Sequence, residues 1–386
     1  MKILIHTLFY QNYNYGGILQ AYALYSYLTS QGNECIELNY VRGIKKSEWI
    51  VRRIKNILEM ISAPKKFINK LKIIKKEKLL WDEYIKKFPD DPMKKNFDLF
   101  IKENFNQTRL YNSQNINTIS EQFDCCITGG DQMWNPMWYD KNFYLKFSNK
   151  KNIAYSCSVG KDILTNDDER KILEGIKNID HISVREKNIL KWCEQQNVKA
   201  ELVCDPVFLL SKEEWENFAI NDLNINNNYL FAYLLGDDEK ERIQARKLAD
   251  RLCIDLVLIP HVKRRYNKYD ENIADYAPIG INPKEFIGLI KNADYIVTDS
   301  FHGTAFSIIF EKKFVSISRF KKNDVNSLSN RIMSVLELFD LKDRYVDTDE
   351  VGKLSAESFE NFKRINSQLI KDFSDSGKKY LNSSLM

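Results

Sequence analysis

The amino-acid sequence predicts an α/β protein in which two domains are each built on a largely parallel sheet. Short apolar runs alternate along the chain with amphipathic helical stretches, which is the pattern of parallel strands joined by crossover helices. The pattern stops at a polar stretch from Asn217 to Asn228, typical of a linker, and then restarts. At 386 residues, the chain also exceeds the usual size of one compact domain. We therefore expect one doubly wound domain over residues 1–210 and a second over 211–386.

The first domain is expected to begin with a buried strand, KILIHTL, followed by a glycine-bearing loop at Asn14–Gly17. That loop opens a helix predicted from about Ile18 to Ser30. The other expected elements are the strands ECIELNY, FDCCITGG, NIAYSCSVG, HISVRE and AELVCDPVFLL, and a helix over Lys187–Gln196.

The second domain repeats this order, beginning with the strand YLFAYLLGD and a helix from Asp238 to Arg251. Further strands are predicted at IDLVLIP, ADYIVTD and KFVSIS. A closing helix over Ser355–Phe373 is expected to pack an apolar stripe on the body of the protein. The residues of this stripe are Phe359, Phe362, Ile365 or Asn366, Leu369 and Phe373.

A Lys-rich insertion interrupts the first domain from residue 42 to about 122, with apolar residues at helical spacing. Arg42–Lys78 carries thirteen Lys or Arg against three Glu, or +10, whereas the whole chain carries +5; the remainder therefore carries −5. The basic character belongs to this one segment. The apolar residues at helical spacing are Ile54, Ile57, Leu58 and Ile61.

Composition favours a cytoplasmic location. The sequence contains no run of about 18 apolar residues and no signal peptide at its amino terminus. Its seven cysteines are odd in number and lie mostly in apolar runs, which indicates reduced core thiols rather than a disulfide framework.

The segment ADYIVTDSFHGTAFSIIF carries the most informative motif. A strand ends at Asp299 and Ser300, and a helix then starts around His302, so free backbone N–H groups face the carboxyl end of the strand. This arrangement predicts an anion site to which Ser300, Gly303 and Thr304 contribute. His302 supplies a proton or a cationic hydrogen bond there. The alternative is a capped turn with a packed histidine.

The segment GGDQMWNP also follows a buried strand. Asp131 is placed to accept a proton from a sugar hydroxyl, with Gln132 and Trp134 forming a sugar-facing wall. In the alternative interpretation, Asp131 caps the turn and Trp134 fills the core.

Two further features lie at expected strand ends. Arg185, in HISVREKN, suits a phosphate or carboxylate, although an arginine so placed pairs as readily with a structural acid. The loop containing Asn14, Tyr15, Gly16 and Gly17 lacks the spacing of a dinucleotide or phosphate-binding motif. Its glycines do permit close approach to a cleft.

Cofactor motifs are lacking in the sequence. No paired Cys or His spacing suggests zinc, no Asp-rich cluster suggests magnesium, and no nucleophile elbow is present. We expect a reaction without metal or cofactor, in which His6, His181 and His261 are structural.

In this order, the motifs NYGGILQAYAL, GGDQMWNP, SVREK, DPVFLL and TDSFHGTAFSIIF resemble the polysaccharide pyruvyl transferase family. The resemblance spans residues 1 to about 335 and implies a GT-B-like pair of Rossmann-like domains facing a cleft. It also implies transfer of pyruvate from phosphoenolpyruvate to two sugar hydroxyls, which forms a cyclic ketal and releases phosphate. The acceptor is then a cell-surface polysaccharide or its lipid-linked precursor.

The resemblance assigns donor binding to His302 and to the helix start that follows it, and anion binding to Arg185. Some family members have an arginine two residues before this histidine, where the present chain has Ser300. A trianionic donor requires several cations, so others must compensate. The candidates are Arg319, Lys321, Lys322 and Arg331.

These assignments suggest a mechanism. His302 protonates the methylene carbon of the enol phosphate or only binds its phosphate, Asp131 accepts the proton of the attacking hydroxyl, and Arg185 holds the phosphate. Two other functions remain open: a nucleotide-sugar glycosyltransferase of the same architecture, and a non-catalytic protein that binds an anionic surface through the insertion.

Contact of residues 42–78 with the inner face of the membrane is one expectation for the insertion, and a solvated Lys-rich face is its alternative. Nucleic acid is not an expected partner, because the segment lacks interleaved aromatic residues and belongs to no known binding module.

Overall fold

The computed structural model describes residues 1–43, 60, 62–161, 163–260, 268–319 and 329–386. Several residues singled out in the sequence lie outside these ranges: Ile54, Ile57, Leu58, Ile61, His261, Lys321 and Lys322.

The first half of the chain forms a six-stranded parallel sheet of order β2-β1-β5-β6-β7-β8, and β3 pairs with β4 beside it. Ile3, Leu4 and Ile5 of β1 are fully buried, as expected for a parallel strand covered on both faces. The strands are β1 (Lys2–His6), β2 (Glu34–Glu37), β3 (Tyr40–Val41), β4 (Tyr111–Asn112), β5 (Cys125–Gly129), β6 (Lys151–Cys157), β7 (His181–Val184) and β8 (Glu201–Leu202).

The second half forms a four-stranded parallel sheet of order β10-β9-β11-β12. In each sheet the strand order reverses once, between β1 and β5 and between β9 and β11. Ligands of open parallel sheets bind at such switch points, outside the carboxyl ends of the strands. The strands of this half are β9 (Tyr229–Tyr233), β10 (Asp255–Leu258), β11 (Tyr295–Thr298) and β12 (Lys313–Ser316).

Helices cover the sheets and connect their strands. The first helix begins at Tyr15, three residues earlier than predicted, because the Asn14 side chain accepts a hydrogen bond from the backbone N–H of Gly17 at 2.9 Å. The described helices are α1 (Tyr15–Ser30), α2 (Pro64–Lys87), α3 (Pro92–Asn104), α4 (Asn166–Ile176), α5 (Lys187–Gln195), α6 (Lys212–Phe218), α7 (Glu239–Leu252), α8 (Lys268–Ile273), α9 (Pro283–Asn292), α10 (Phe301–Ile309), α11 (Ser329–Leu338), α12 (Thr348–Val351), α13 (Ala356–Asn361) and α14 (Ser367–Leu385).

The prediction of one continuous closing helix over Ser355–Phe373 is wrong. The chain leaves the helical conformation at Phe362, and the Asn366 side chain then accepts hydrogen bonds from two backbone N–H groups that begin α14. An asparagine that can bond the backbone in this way favours a helix start over a helix interior. The apolar residues keep a helical spacing along the sequence, although the backbone is not helical between Asn361 and Ser367.

Helix α14 returns the chain to the first half. Phe373 contacts Phe339 of the second half, with ring centroids 5.8 Å apart. Farther along, the Tyr380 hydroxyl donates to the backbone carbonyl of Ala154 in β6 at 3.0 Å, and Leu381 is fully buried in the core. The end of the chain thus packs on the first sheet.

We expect Leu381→Ala to lower the free energy of unfolding by about 2–5 kcal/mol, because it removes buried apolar surface and leaves a cavity. Lys379→Ala, at an exposed position of the same helix, should change it by less than about 0.5 kcal/mol. Urea denaturation of both variants measures the difference, and equal stabilities would contradict the packing of α14.

Candidate active site

The amino ends of two helices, one from each half, meet at the switch points. Helix α1 follows β1, and α10 follows β11 with Ser300 as its N-cap. The contact is so close that a Cβ atom added to Gly16 would lie 2.1 Å from Nδ1 of His302. A residue other than glycine at position 16 would therefore overlap the imidazole, which lies directly on the first turn of α1.

Asp205 faces His302 from the end of β8. Its Oδ2 atom is 3.7 Å from Nε2 of His302, and its Oδ1 accepts from the backbone N–H of Val207 at 3.1 Å. Burial opposes ionisation of this carboxyl, but the nearby His302 and Arg185 outweigh it and hold its pKa well below the usual range. Asp205 is consequently a buried carboxylate that faces both residues.

Arg185 follows β7 and is buried. It makes a short charge-assisted hydrogen bond from Nη1 to Oδ2 of Asp205, and its guanidinium lies 4.2 Å from the ring centroid of Phe301. Its Nε atom is 3.5 Å from Oε1 of Glu186. Arg185 thus pairs with structural acids, which was one of the two interpretations of its position in the sequence. Its Nη2 atom is nevertheless buried without a hydrogen-bond partner among the described residues.

Arg331, in α11, brings a second guanidinium to this cluster. Its Nη1 atom is 3.7 Å from Oδ1 of Asp131. With the Gln132 amide oriented so that its oxygen faces Arg331, that oxygen accepts from Nη1 and Nη2 at 3.0 and 3.1 Å. Burial, followed by repulsion from Arg185, lowers the pKa of Arg331 to about 10. Asp131 and Gln132 of the first half are thereby joined to the second half.

A cavity of about 10 Å³, the room of a single water, lies between Arg185, Arg331, Asp205 and Glu186. Arg185 and Arg331 line this cavity, and His302 lies beyond Asp205. The buried nitrogens Nη2 of Arg185, Nε of Arg331 and Nε2 of His302 have no hydrogen-bond partner within the described ranges. An unpaired buried donor costs about 1–3 kcal/mol. Three such donors in one cluster indicate a site for an anion.

The other residues that were predicted to bind the donor substrate form hydrogen bonds with neighbouring protein groups. The Ser300 hydroxyl accepts from the backbone N–H of Gly303 at 3.4 Å, and the buried Thr304 hydroxyl bonds the Ser300 carbonyl at 3.0 Å. Arg319 donates to Oδ2 of Asp299 at 3.0 Å and to the Asp299 carbonyl at 3.1 Å. This pairing neutralises the Arg319 charge, whereas Arg331 keeps a buried nitrogen without a hydrogen-bond partner in the described part of the chain.

The prediction of a sugar-facing wall is wrong for Trp134. Its side chain is 1% exposed and stacks on Tyr144, with ring centroids 5.4 Å apart and an interplanar angle of 13°. The tight loop after β5, in which Asp131 has a φ of 21°, turns this indole inward. Trp134 therefore fills the core.

An open pocket of about 250 Å³ lies next to the start of α1. The predicted cleft residues Asn14 and Tyr15 line it from the first half, and Tyr233 and Ile259 line it from the carboxyl ends of β9 and β10. The Tyr15 ring also stacks on Phe286 of α9 at 4.5 Å, which joins the two halves behind the pocket. The pocket therefore belongs to the cleft between the halves.

Sequence reasoning missed Asp205 and Glu186 as members of the cluster. The available signal was position, since Asp205 follows a short strand just as Asp131 and Arg185 do. Among the described residues, no group of three His, Cys, Asp or Glu side chains is placed to hold a metal ion. Donor binding without metal stays a prediction.

Two parallel α/β halves with a cationic cluster between their switch points define a GT-B-like protein. Solved structures share this fold: UDP-GlcNAc 2-epimerase from Methanocaldococcus jannaschii (10% identity, 98% of this chain, 99% of that chain, TM-score 0.52) and UDP-N-acetylglucosamine 2-epimerase from Rickettsia bellii (9% identity, 99% of this chain, 96% of that chain, TM-score 0.54). At these identities the likeness concerns the fold alone.

Comparison with curated protein sequences gives no match. A family model described as polysaccharide pyruvyl transferase matches residues 14–319, most of the chain. The matched range includes α1, Asp131, Arg185, Asp205 and His302. The chain belongs to the polysaccharide pyruvyl transferase family.

The Gly16–His302 contact predicts non-additive stabilities. Gly16→Ala should lower the melting temperature, because its Cβ overlaps the imidazole. The double variant with His302→Ala should recover this loss, since alanine is otherwise the better helix residue by about 0.5–1 kcal/mol. Thermal denaturation of both single variants and the double variant completes the cycle. Additive effects would show that the helix ends do not touch.

Proposed function

We propose that this protein transfers pyruvate from phosphoenolpyruvate to two hydroxyls of one sugar, which forms a cyclic ketal and releases phosphate. The acceptor is a sugar of a cell-surface polysaccharide or of its lipid-linked precursor. Family membership supports the reaction class. The observation that carries the choice of donor is the cluster of buried, unpartnered cationic nitrogens, because phosphoenolpyruvate presents both a phosphate and a carboxylate.

In this proposal, Arg185 and Arg331 bind the two anionic groups of the donor. Arg331 supplies the charge that some family members place two residues before the histidine, where this chain has Ser300. Bidentate binding by guanidinium groups is both strong and directional. The cavity between them has room for about one water, so it must widen when the donor enters.

His302 is the proposed acid of the reaction. Gly16 covers its Nδ1 atom, whereas Nε2 faces the Asp205 carboxylate. Asp205 stabilises a protonated imidazole, which can give its proton to the methylene carbon of the donor as the central carbon becomes positively charged. In the alternative role, His302 only donates a hydrogen bond to the phosphate. Comparison of His302→Ala with His302→Asn separates proton donation from phosphate binding.

Asp131 completes the reaction as the base. Its carboxylate, held 3.7 Å from Arg331, accepts the proton of the first sugar hydroxyl while the new C–O bond forms. The C–O bond to phosphate then breaks, and the second hydroxyl closes the ketal. Overall, one hydroxyl proton balances the proton delivered to the methyl group, and the other balances the departing phosphate.

Arg331→Gln should weaken phosphoenolpyruvate binding about 10- to 100-fold, the loss expected when one hydrogen bond to a charged group is removed. Arg170→Gln, which changes an exposed guanidinium paired with Asp167, is the matched control. Titration calorimetry in the presence of a chelator measures both affinities. An unchanged affinity in folded Arg331→Gln would remove Arg331 from the donor site.

Binding and product assays distinguish the proposed function from its two alternatives. A nucleotide-sugar glycosyltransferase would be stabilised by UDP-N-acetylglucosamine and not by phosphoenolpyruvate, and a non-catalytic protein would release no phosphate with any acceptor. Mass spectrometry of the glycan made with and without this protein tests for the pyruvyl increment. Its absence in both samples would refute the proposed reaction.

His302→Ala should abolish transfer in a folded protein, because loss of a proton donor alone costs about 10²–10⁴ in rate. His302→Asn keeps a hydrogen-bond donor but delivers no proton. If the asparagine variant turns over at a near-normal rate, His302 only binds the phosphate. Steady-state phosphate release gives both rates, and activity in His302→Ala would mean that the site lies elsewhere.

A further inference from the structure

The first two-thirds of α2 exposes both large aliphatic side chains and lysines. Its large aliphatic side chains have between 49% and 58% of their area in contact with solvent. The end of the helix is anchored to the body, where Tyr84 is fully buried and contacts Trp81 and Phe88. The exposed side chains are Ile68, Leu71, Ile73, Ile74 and Leu79. A merely solvated helix would not carry so many exposed aliphatic groups close together.

Charge decides which surface can cover this part of α2. From Pro64 to Leu79 the chain has seven lysines and one acid, Glu77, which gives +6. A second copy of the same helix would be repelled by this charge, whereas an anionic surface would be attracted. The lysines are Lys65, Lys66, Lys70, Lys72, Lys75, Lys76 and Lys78.

We infer that α2 binds the surface of an anionic lipid bilayer. Lysines that alternate with aliphatic residues match a helix lying in the headgroup layer, where apolar side chains enter the acyl region and ammonium groups contact lipid phosphates. None of the described helices is both long enough and apolar enough to cross a membrane. The helix therefore binds at the surface of the bilayer.

The position of α2 links this surface to the cleft. A pocket of about 730 Å³ is lined by Ile74, Lys78 and Trp81 of α2 and by Gln11 and Tyr13 of the loop before α1. Gln11 and Tyr13 also line the 250 Å³ pocket between the halves. A sugar attached to a membrane lipid can thus approach the cleft along α2. This consequence for the acceptor rests on the proposed function, but bilayer binding does not.

Vesicle sedimentation tests the inference without any substrate. The full chain should sediment with vesicles of phosphatidylcholine containing about 30% phosphatidylglycerol and remain in solution with phosphatidylcholine alone. Raising the salt to about 0.5 M should release it, because the electrostatic attraction is screened. Absence of sedimentation, or equal sedimentation with neutral vesicles, would overturn the inference.

Variants locate the binding surface. Lys72→Gln, Lys75→Gln and Lys76→Gln combined should weaken binding about 100-fold, as expected for three basic residues near an anionic surface. Ile68→Ser with Leu71→Ser should weaken it as well, through loss of apolar insertion. The matched control changes three exposed lysines elsewhere to Gln, namely Lys191, Lys199 and Lys371. Each altered residue is exposed, so circular dichroism should show an unchanged fold.

The outcome is independent of the transferase assay. If the α2 variants sediment like the control variant, α2 is not the membrane surface. If the protein instead self-associates through α2 and ignores vesicles, a second copy covers the helix and the inference fails. In either case phosphate release with a soluble acceptor still tests the proposed reaction separately.

Discussion

The site depends on one buried carboxylate, Asp205, which is shared between a guanidinium and an imidazole. Arg185 bonds it from the first half, and His302 approaches it from the second. Removing one partner of a buried pair costs about 3–5 kcal/mol, because a charge is left without compensation. Asp205 therefore fixes the position of both residues, and through them it sets how the end of β7 faces the start of α10.

Charge balance explains why such a cluster of charged side chains can be buried. Asp205, Glu186 and Asp131 lie close to Arg185 and Arg331 and offset their positive charge. Hydrogen bonding is less complete, since Nε and Nη2 of Arg185, Nε of Arg331 and Nε2 of His302 have no hydrogen-bond partner within the described part of the chain. An anionic ligand would supply these hydrogen bonds, so the apo protein is less stable than its complex must be.

The sequence was sufficient to predict what depends on short-range patterns. Parallel strands and the helix start at Ser300 follow from apolar runs and a capping residue, and the GT-B-like fold is confirmed. The direction of Trp134 was not predictable, because it depends on the backbone at Asp131. Nor was the return of α14 to the first sheet, which depends on contacts between residues far apart in the chain. The role of Asp205 was hidden for the same reason.

The geometry of the cleft finally depends on packing outside it. Gly16 and His302 are in contact, so a displacement of about 1 Å between the halves would open their interface and separate Asp205 from the imidazole. The stacked rings of Tyr15 and Phe286 resist such a displacement beside the site. Helix α14 resists it from behind, because it contacts the second half at its start and the first sheet at its end. By crossing back between the halves, the chain thus holds side chains from two separate sheets in one cluster.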